Sequence, residues 1–426
     1  MSTAAAVFDP TEPWDNLHGP SPADVHWSTD NVGEAVPGVM SPLGASIWTY
    51  HGERSTRGAF VAIGALPRRE RAVPERIEDR VVRVFCGRMA LQVELVTRLG
   101  DTLPGTSGQE VAESIFGTIP GDIDYRPTMR RYPIIAGRLS TAFVTLPRRL
   151  RREPAGYERR WHATLDELPG ADLARARVLL AESLGWFETA LLLQSVSVIG
   201  NAQIMHQALA GVVAQAGVGD LGVLSGPGGA EMAVIGDIWS ASRGRLTIDE
   251  VVRKHGFHGP LEGEVSSVVW REDPAPLERL IAEYARMDDA ADPLRRERAA
   301  QAALPEMQRE VLAALPRSKR PAARLVLTLA AKRIPLRGVA KRSFLQGIDA
   351  VRASARRIGT HLAESGALDD PDDAFYLTID ELGDALPADA RELVSRRRER
   401  REEYRRVTIP GAWKGLPVPE PLPDDG

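Results

Sequence analysis

The longest helical pattern in the chain runs from Ala171 to about Gln215, and it constrains the fold more than any other segment. Apolar residues recur there at three- and four-residue spacings, and around Leu191–Val198 they cover more than one face of the helix. A helix that is apolar on several faces must be surrounded by other parts of the protein. We therefore expect a large helical body with this segment inside it.

Further patterns predict a mainly α fold with irregular loops and little or no sheet. Capping boxes mark helix starts at Thr247–Glu250 and Thr378–Glu381. Glycine and proline interrupt residues 27–50, which are expected to be a structured loop. Other helices are expected at about 74–100, 231–240, 321–365 and 388–406. The predicted organisation is an N-terminal arm (1–26), one helical domain (27–409) and a Pro-rich C-terminal tail (410–426).

Composition excludes several classes of protein. The 426 residues carry a net charge of −4, so no basic excess indicates nucleic acid or an anionic membrane. The single Cys86 excludes an internal disulfide framework, and its apolar, helix-like surroundings favour a buried structural thiol over a nucleophile. Without a run of 18 apolar residues or a secretory leader, a cytoplasmic protein is expected. The Arg-rich run 395–406 is interleaved with glutamates, which favours a solvated helix.

The stretch most informative about chemistry is 254–264, where two histidines and two glutamates fall in a loop punctuated by glycine. His255 can also be explained as the end of the preceding helix, with Gly256 after it. For His258, Glu262 and Glu264, a catalytic and a structural interpretation remain open. Imidazole titrates near neutrality, so the cluster could accept a proton from a hydroxyl group. Metal binding is disfavoured, because no second cluster at ligand spacing accompanies it.

Polar residues in the long apolar helix are candidates for a small-molecule pocket. His206 is the clearest, although an interior histidine with satisfied hydrogen bonds is the more common outcome. The predicted substrate-binding residues, from this helix, the loop 40–48 and the helix after the SGPGG turn, are Met40, Ser46, Trp48, Gln203, His206 and Glu231.

Three stretches, in this order, resemble one family. They are NVGEAVPGVMSPLGASIW (31–48), HGFHGPLEGEVSSVVWREDP (255–274) and GALDDPDDAFYLTIDEL (366–382). They are similar to the middle, substrate-binding domain of phosphoenolpyruvate-synthase-like phosphotransferases. That family includes rifampicin phosphotransferase and the synthases that phosphorylate phenol or 4-alkylphenols. One departure is that Phe257 stands where relatives usually have histidine, and His258 where they have arginine.

The resemblance implies a function for the chain within a larger machine. In the family, an ATP-grasp domain phosphorylates a histidine on a swivelling domain, which delivers the phosphoryl group to the acceptor. The chain resembles only the middle part, so a stand-alone domain is expected, with ATP, Mg²⁺ and the phosphohistidine on partner subunits and no cofactor or metal of its own. The expected function is a substrate-binding subunit of a phosphotransferase for a small apolar acceptor, incomplete as an enzyme by itself. The alternatives are a non-catalytic protein that sequesters a hydrophobic molecule such as an antibiotic, and a structural scaffold.

Overall fold

A computed structural model describes residues 8–103, 107–117, 123, 125–226, 230–383 and 386–422 of the chain. About 65% of the structure is helical and 5% is strand, which confirms the mainly α prediction. The helices are α1 (Val32–Ala35), α2 (Pro42–Ile47), α3 (Glu53–Ile63), α4 (Val93–Gly100), α5 (Gly108–Phe116), α6 (Tyr132–Arg152), α7 (Pro154–Glu167), α8 (Leu173–Ser197), α9 (Gln203–Ala216), α10 (Leu221–Leu224), α11 (Ala230–Ser242), α12 (Ile248–His255), α13 (Ala275–Ala285), α14 (Pro293–Ala314), α15 (Arg320–Arg333), α16 (Leu336–Glu364), α17 (Ile379–Gly383) and α18 (Ala390–Arg405). The strands are β1 (His26–Ser28), β2 (Val82–Phe85), β3 (Arg88–Gln92), β4 (Val407–Thr408), β5 (Ala412–Lys414) and β6 (Glu420–Pro421).

Helices α8 and α16 pack against each other and form the centre of the main hydrophobic core. They approach closely at Gly347, where an added Cβ would lie 3.0 Å from the Cα of Phe187. Helix α8 is the predicted interior helix, and it buries residues on several faces, including Leu180 and Phe187. A π-helical turn, Val198–Ala202, joins it to α9, so the predicted long helix is present with one distortion.

The prediction of a helix over residues 74–100 is wrong for most of that segment. Strands β2 and β3 form a hairpin there, with Phe85 paired to Arg88, and only the last part of the segment is helical, as α4. The turn residues Cys86 and Gly87 both have positive φ, 46° and 73°. Two such residues make the type I′ turn that suits a two-residue hairpin. Cys86 is buried as expected, but in a turn rather than in a helix.

Residues 27–50 contain more regular structure than the predicted loop. Helix α2 begins at Pro42, where a missing N–H has no cost because the first turn of a helix lacks backbone partners. Ser41 caps it by accepting a hydrogen bond from the backbone N–H of Gly44. A π-helical turn, Trp48–Gly52, then leads into α3. The glycines and prolines that suggested a loop therefore flank or begin short helices.

The described parts of both predicted terminal segments pack onto the helical body. Strand β1 lies between β3 and β5 in a sheet of order β2-β3-β1-β5, so an N-terminal strand pairs with a C-terminal one. Leu17 is buried, and Asp15 accepts a hydrogen bond from the hydroxyl of Tyr404 at 2.5 Å. The segments 1–26 and 410–422 are thus attached to the body where they are described.

Two helix predictions need correction near the C-terminus. The helix expected over 321–365 is divided at Ile334 and Pro335 into α15 and α16, since proline cannot continue the backbone hydrogen bonding. Helix α18 is not solvated on all sides: Arg397 and Arg401 are 4% and 5% exposed. Both capping boxes are confirmed, with reciprocal bonds between Thr247 and Glu250 and between Thr378 and Glu381.

Candidate active site

The loop after α12 places His258 beside Glu262. The Nδ1 of His258 is hydrogen-bonded to Oε1 of Glu262, and Lys341 Nζ lies 3.5 Å from the other carboxylate oxygen. Burial opposes ionisation of Glu262, but the bond to His258 and the charge of Lys341 outweigh it and hold the pKa of Glu262 below its usual value. The His258 side chain is 18% exposed, and no described residue bonds to its Nε2. An oriented imidazole with one open nitrogen can accept a proton.

A second histidine–carboxylate pair lies next to the first. His255 Nε2 is 2.9 Å from Asp237 Oδ2, and Lys254 Nζ is 3.2 Å from the same oxygen. Burial lowers the pKa of His255 despite the nearby carboxylate. Its ring centroid is 6.2 Å from that of His258, and its Nδ1 is buried without a hydrogen-bond partner among the described residues. His255 is therefore the last residue of α12, as one interpretation held, but its side chain bonds to α11 rather than to the helix end.

Backbone contacts explain why the loop is rich in glycine. An added Cβ on Gly263 would lie 2.2 Å from the carbonyl oxygen of Ala35, and one on Gly259 would lie 2.7 Å from that of Val268. Only glycine allows such close approach. The loop closes on itself through a hydrogen bond from the Trp270 N–H to the His258 carbonyl, at 2.9 Å.

Glu264 has a different environment from Glu262. It is 1% exposed and accepts hydrogen bonds from the Ser41 N–H (3.1 Å), the Ser41 hydroxyl (2.6 Å) and the Ser266 N–H (2.8 Å). Its carboxylate therefore joins the start of α2 to the end of the loop. The predicted catalytic role of Glu264 stays a prediction, while its contacts are those of a positioning residue.

Buried charges on α16 fix the remainder of the loop. Arg352, which is fully buried, donates to the carbonyl oxygens of Glu264 (3.0 Å) and Val265 (3.1 Å). Asp349 neutralises it at 2.9 Å. Phe257 is 1% exposed and packs edge-on against Trp161, with 5.4 Å between ring centroids. It therefore belongs to the main hydrophobic core.

Three of the residues predicted to bind substrate, Met40, Ser46 and Trp48, have contacts within the protein, and their predicted role stays a prediction. Met40 is buried in the main core, and Ser46 bonds to the backbone of Leu43 and Ile379. Trp48 is buried, and its Nε1 donates a hydrogen bond to the Gly263 carbonyl at 3.0 Å, so its side chain fixes the backbone of the 254–264 loop.

The other three residues predicted to bind substrate are His206, Gln203 and Glu231. His206 is exposed on α9, so the expectation of an interior histidine is wrong. The side chains of Gln203 and Glu231 lie outside the part of the structure that is described.

Sequence reasoning missed Asp237 and Lys341, which complete the two pairs. They stand on α11 and α16, about 20 and 80 residues from the loop in sequence, and no local pattern marks either of them. No group of three or more His, Cys, Asp or Glu side chains within the described ranges could hold a metal ion. The fold and the site together define a class: a mainly α-helical protein with a partly exposed histidine–carboxylate pair on a glycine-rich loop.

Comparison with known proteins places the chain more narrowly. The family described as the rifampicin phosphotransferase fourth domain matches residues 234–338, which include Asp237, His255, His258 and Glu262. Over these residues the chain is thus related to the rifampicin phosphotransferase and phosphoenolpyruvate-utilising family.

Relatives of uncharacterized function also match the chain. Uncharacterized protein Rv2047c of Mycobacterium tuberculosis and Uncharacterized protein Mb2073c of Mycobacterium bovis are each 31% identical to it over 166 residues. The match covers 39% of this chain and 17% of each relative, so the chain spans less than a fifth of their length. None of the helices within the described ranges combines the length and apolar character needed to cross a membrane.

Proposed function

We propose that the chain is the substrate-binding subunit of a cytoplasmic, ATP-dependent phosphotransferase for a hydroxyl of a small apolar acceptor such as a phenol or alkylphenol. Its partners would be an ATP-grasp subunit that binds ATP and Mg²⁺ and a subunit that carries a phosphohistidine. The observation that carries the proposal is the His258–Glu262 pair, which lies inside the segment related to rifampicin phosphotransferase. The chain alone would not complete the reaction.

The proposed role of the pair is to accept the hydroxyl proton. The phosphorus–nitrogen bond of the partner's phosphohistidine breaks as a phosphorus–oxygen bond forms to the acceptor. The proton of the hydroxyl passes to Nε2 of His258 and from there to solvent. Glu262 orients the ring through Nδ1 and stabilises the imidazolium that forms. Proton transfer by such a group contributes about 10²–10⁴-fold to a rate.

The surroundings of the pair suit an approaching phosphoryl group. Lys254 and Lys341 are about half exposed, 47% and 43%, and each lies beside the carboxylate of one histidine–carboxylate pair. Phosphoryl transfer depends mainly on positioning and on neutralising negative charge. The two lysine side chains could position the phosphoryl group and neutralise its negative charge close to the proton acceptor.

The test reconstitutes the reaction. Partners are captured on the tagged chain, and the complex is assayed by ³¹P NMR with ATP, Mg²⁺ and phenol. We expect His258→Gln to lower kcat by about 10²–10⁴-fold and to remove the pH dependence attributed to the base. The matched control is His361→Gln near the C-terminal end of α16, where Nε2 is 2.9 Å from the Ala171 carbonyl oxygen and Nδ1 is 3.7 Å from Glu364. Unchanged turnover in His258→Gln would refute the proton-transfer role.

One observation favours the second candidate, a protein that sequesters a hydrophobic molecule without transferring phosphate. Phe257, at the position where the resembling family usually has histidine, is buried against Trp161. A sequestering protein would show ligand-dependent thermal stabilisation, since a ligand selective for the native state raises the melting temperature. Binding without phosphorylation by any captured complex would favour this candidate over the enzyme.

A further inference from the structure

A cluster of cationic side chains surrounds Glu188, a buried residue of α8. Its carboxylate is 2.9 Å from His51 Nδ1, 3.1 Å from Arg54 Nε and 3.3 Å from Arg71. His51 belongs to the π-helical turn, Arg54 to α3, and Arg71 to the short 3₁₀ turn Arg68–Arg71. Three separate elements thus direct cationic donors towards one carboxylate.

The cluster has more positive than negative charge. Two guanidinium groups face a single carboxylate, which leaves a net charge of +1 before any proton on His51 is counted. The nearby Glu53 does not compensate, because it is fully buried and bonded to Arg57 and to the backbone N–H groups of residues 81 and 82. The excess charge is therefore available to an anion from outside.

The cations reach solvent while the carboxylate does not. The side chains of Arg54 and Arg71 are 34% and 47% exposed, whereas that of Glu188 is 11% exposed. Burial opposes ionisation of Glu188, but its cationic neighbours hold its pKa below the usual value. Glu188 therefore remains charged and fixes the arginines in place, so an incoming anion would meet preorganised donors.

The backbone at this point is unusual. Tyr50 and His51 lie in a π-helical turn, a rare conformation that occurs frequently at functional sites. Tyr50 is 49% exposed, its ring centroid is 5.0 Å from that of His51, and the Arg54 guanidinium lies 5.7 Å from it. An exposed aromatic ring thus borders the cationic donors.

We propose that His51, Arg54 and Arg71 form a binding site for a phosphate group, either free phosphate or a phosphate monoester. Guanidinium groups match the geometry of phosphate oxygens and form strong, charge-assisted hydrogen bonds with them. Tyr50 would contact the organic part of a monoester. This site shares no residue with the His258–Glu262 pair and is independent of the proposed transfer reaction.

The experiment is isothermal titration calorimetry of the whole chain with inorganic phosphate and with phenyl phosphate, at constant ionic strength maintained with chloride. We expect saturable binding to the wild type and at least tenfold weaker binding to Arg54→Gln/Arg71→Gln, a difference of about 1.4 kcal/mol or more. The control is Arg69→Gln, on the same turn but 86% exposed and 4.0 Å from its carboxylate partner. It should bind within about twofold of the wild type.

The two ligands separate the two sources of phosphate. A monoester site would be identified if the wild type binds phenyl phosphate more tightly than inorganic phosphate and Tyr50→Leu binds the two equally. Equal affinities would identify a site for free phosphate. Absence of saturable binding by either ligand, or equal affinity in the double variant, would overturn the proposal. If the double variant does not fold, Arg71→Gln alone, at an exposed side chain, is measured against the same criterion.

Discussion

Replacing Asp349 by Asn should remove the charge on which the candidate site depends most. Asp349 is fully buried on α16 and accepts a hydrogen bond from Trp161 Nε1 at 2.8 Å. Arg271 and Arg352 donate to its other oxygen at 3.0 and 2.9 Å. Because Asn has the same shape as Asp, the substitution removes the charge and leaves the packing nearly unchanged.

The magnitude follows from the burial of the partners. Arg352 has no exposed surface, so after the substitution its charge is buried without a counter-charge. Removing one partner of a buried ion pair costs about 3–5 kcal/mol. Arg271 adds less, because its side chain is 26% exposed and it keeps Glu272 at 3.1 Å. We therefore expect Asp349→Asn to lower the free energy of unfolding by about 3–5 kcal/mol.

Urea denaturation followed by circular dichroism measures this loss. The matched control is Asp289→Asn, which breaks an ion pair of the same length, 2.9 Å, at a carboxylate that is 77% exposed. It should cost less than about 1 kcal/mol. The double variant Asp349→Leu/Arg352→Met leaves neither charge of the pair and should lose less than the two single changes together. A loss in Asp349→Asn no larger than in the control would refute the reasoning.

The pH dependence provides a second measurement on the same residue. Burial acts to raise the pKa of Asp349, but Arg271 and Arg352 outweigh it and hold that pKa below its ordinary value. A carboxyl group with a lowered pKa in the folded state stabilises above its unfolded pKa of about 3.9. The wild type should lose this contribution as the pH falls below that value. Asp349→Asn should show a shallower loss of stability over the same range.

Three further predictions concern the β2–β3 hairpin and the segment beside it. Gly87→Ala should cost about 1–2 kcal/mol, because φ is positive and the new Cβ would lie 2.4 Å from Val39; Gly137→Ala, with open space around it, is the control in the same denaturation assay. Burial raises the pKa of the Cys86 thiol to about 12, so at pH 8 a maleimide should label it only in urea, and labelling of the native protein at the unfolded rate would contradict this. Burial lowers the pKa of His18 to about 4, so the folded state binds fewer protons than the unfolded state between pH 6.5 and 4. Stability should fall by about 3 kcal/mol on acidification through this range, and His18→Asn should flatten the profile.

The fold class could be predicted because it depends on patterns that are local in sequence. The apolar faces of α8 and the capping boxes at Thr247 and Thr378 each depend on a few consecutive residues. The hairpin at Cys86 could not be distinguished from a helix by apolar spacing alone, since short apolar runs fit both periods. Its decisive feature is the positive φ of two turn residues, and cysteine is an uncommon residue at such a position.

The sequence predicted only those residues of the candidate site that lie close together along the chain. His258 and Glu262 are four residues apart, and the sequence places both in one loop. Asp237 and Lys341 could not be assigned to it, because only the packing of α11 and α16 brings them there. The exposure of His206 also depends on tertiary packing, since an apolar helix shows which faces are apolar but not which neighbours cover them.

The supports of the loop are distributed over nearly the whole chain. The match to rifampicin phosphotransferase covers residues 234–338, which contain the histidine pairs. At the end of the loop, the Glu264 carboxylate is bonded to Ser41 and the Glu264 carbonyl to Arg352. Two residues further on, Ser266 is bonded to Arg401. All three supporting residues lie outside the matched segment. The end of the loop that carries the His258–Glu262 pair is therefore held by residues at the start of α2, on α16 and on α18, and the matched segment expressed alone would lack these groups.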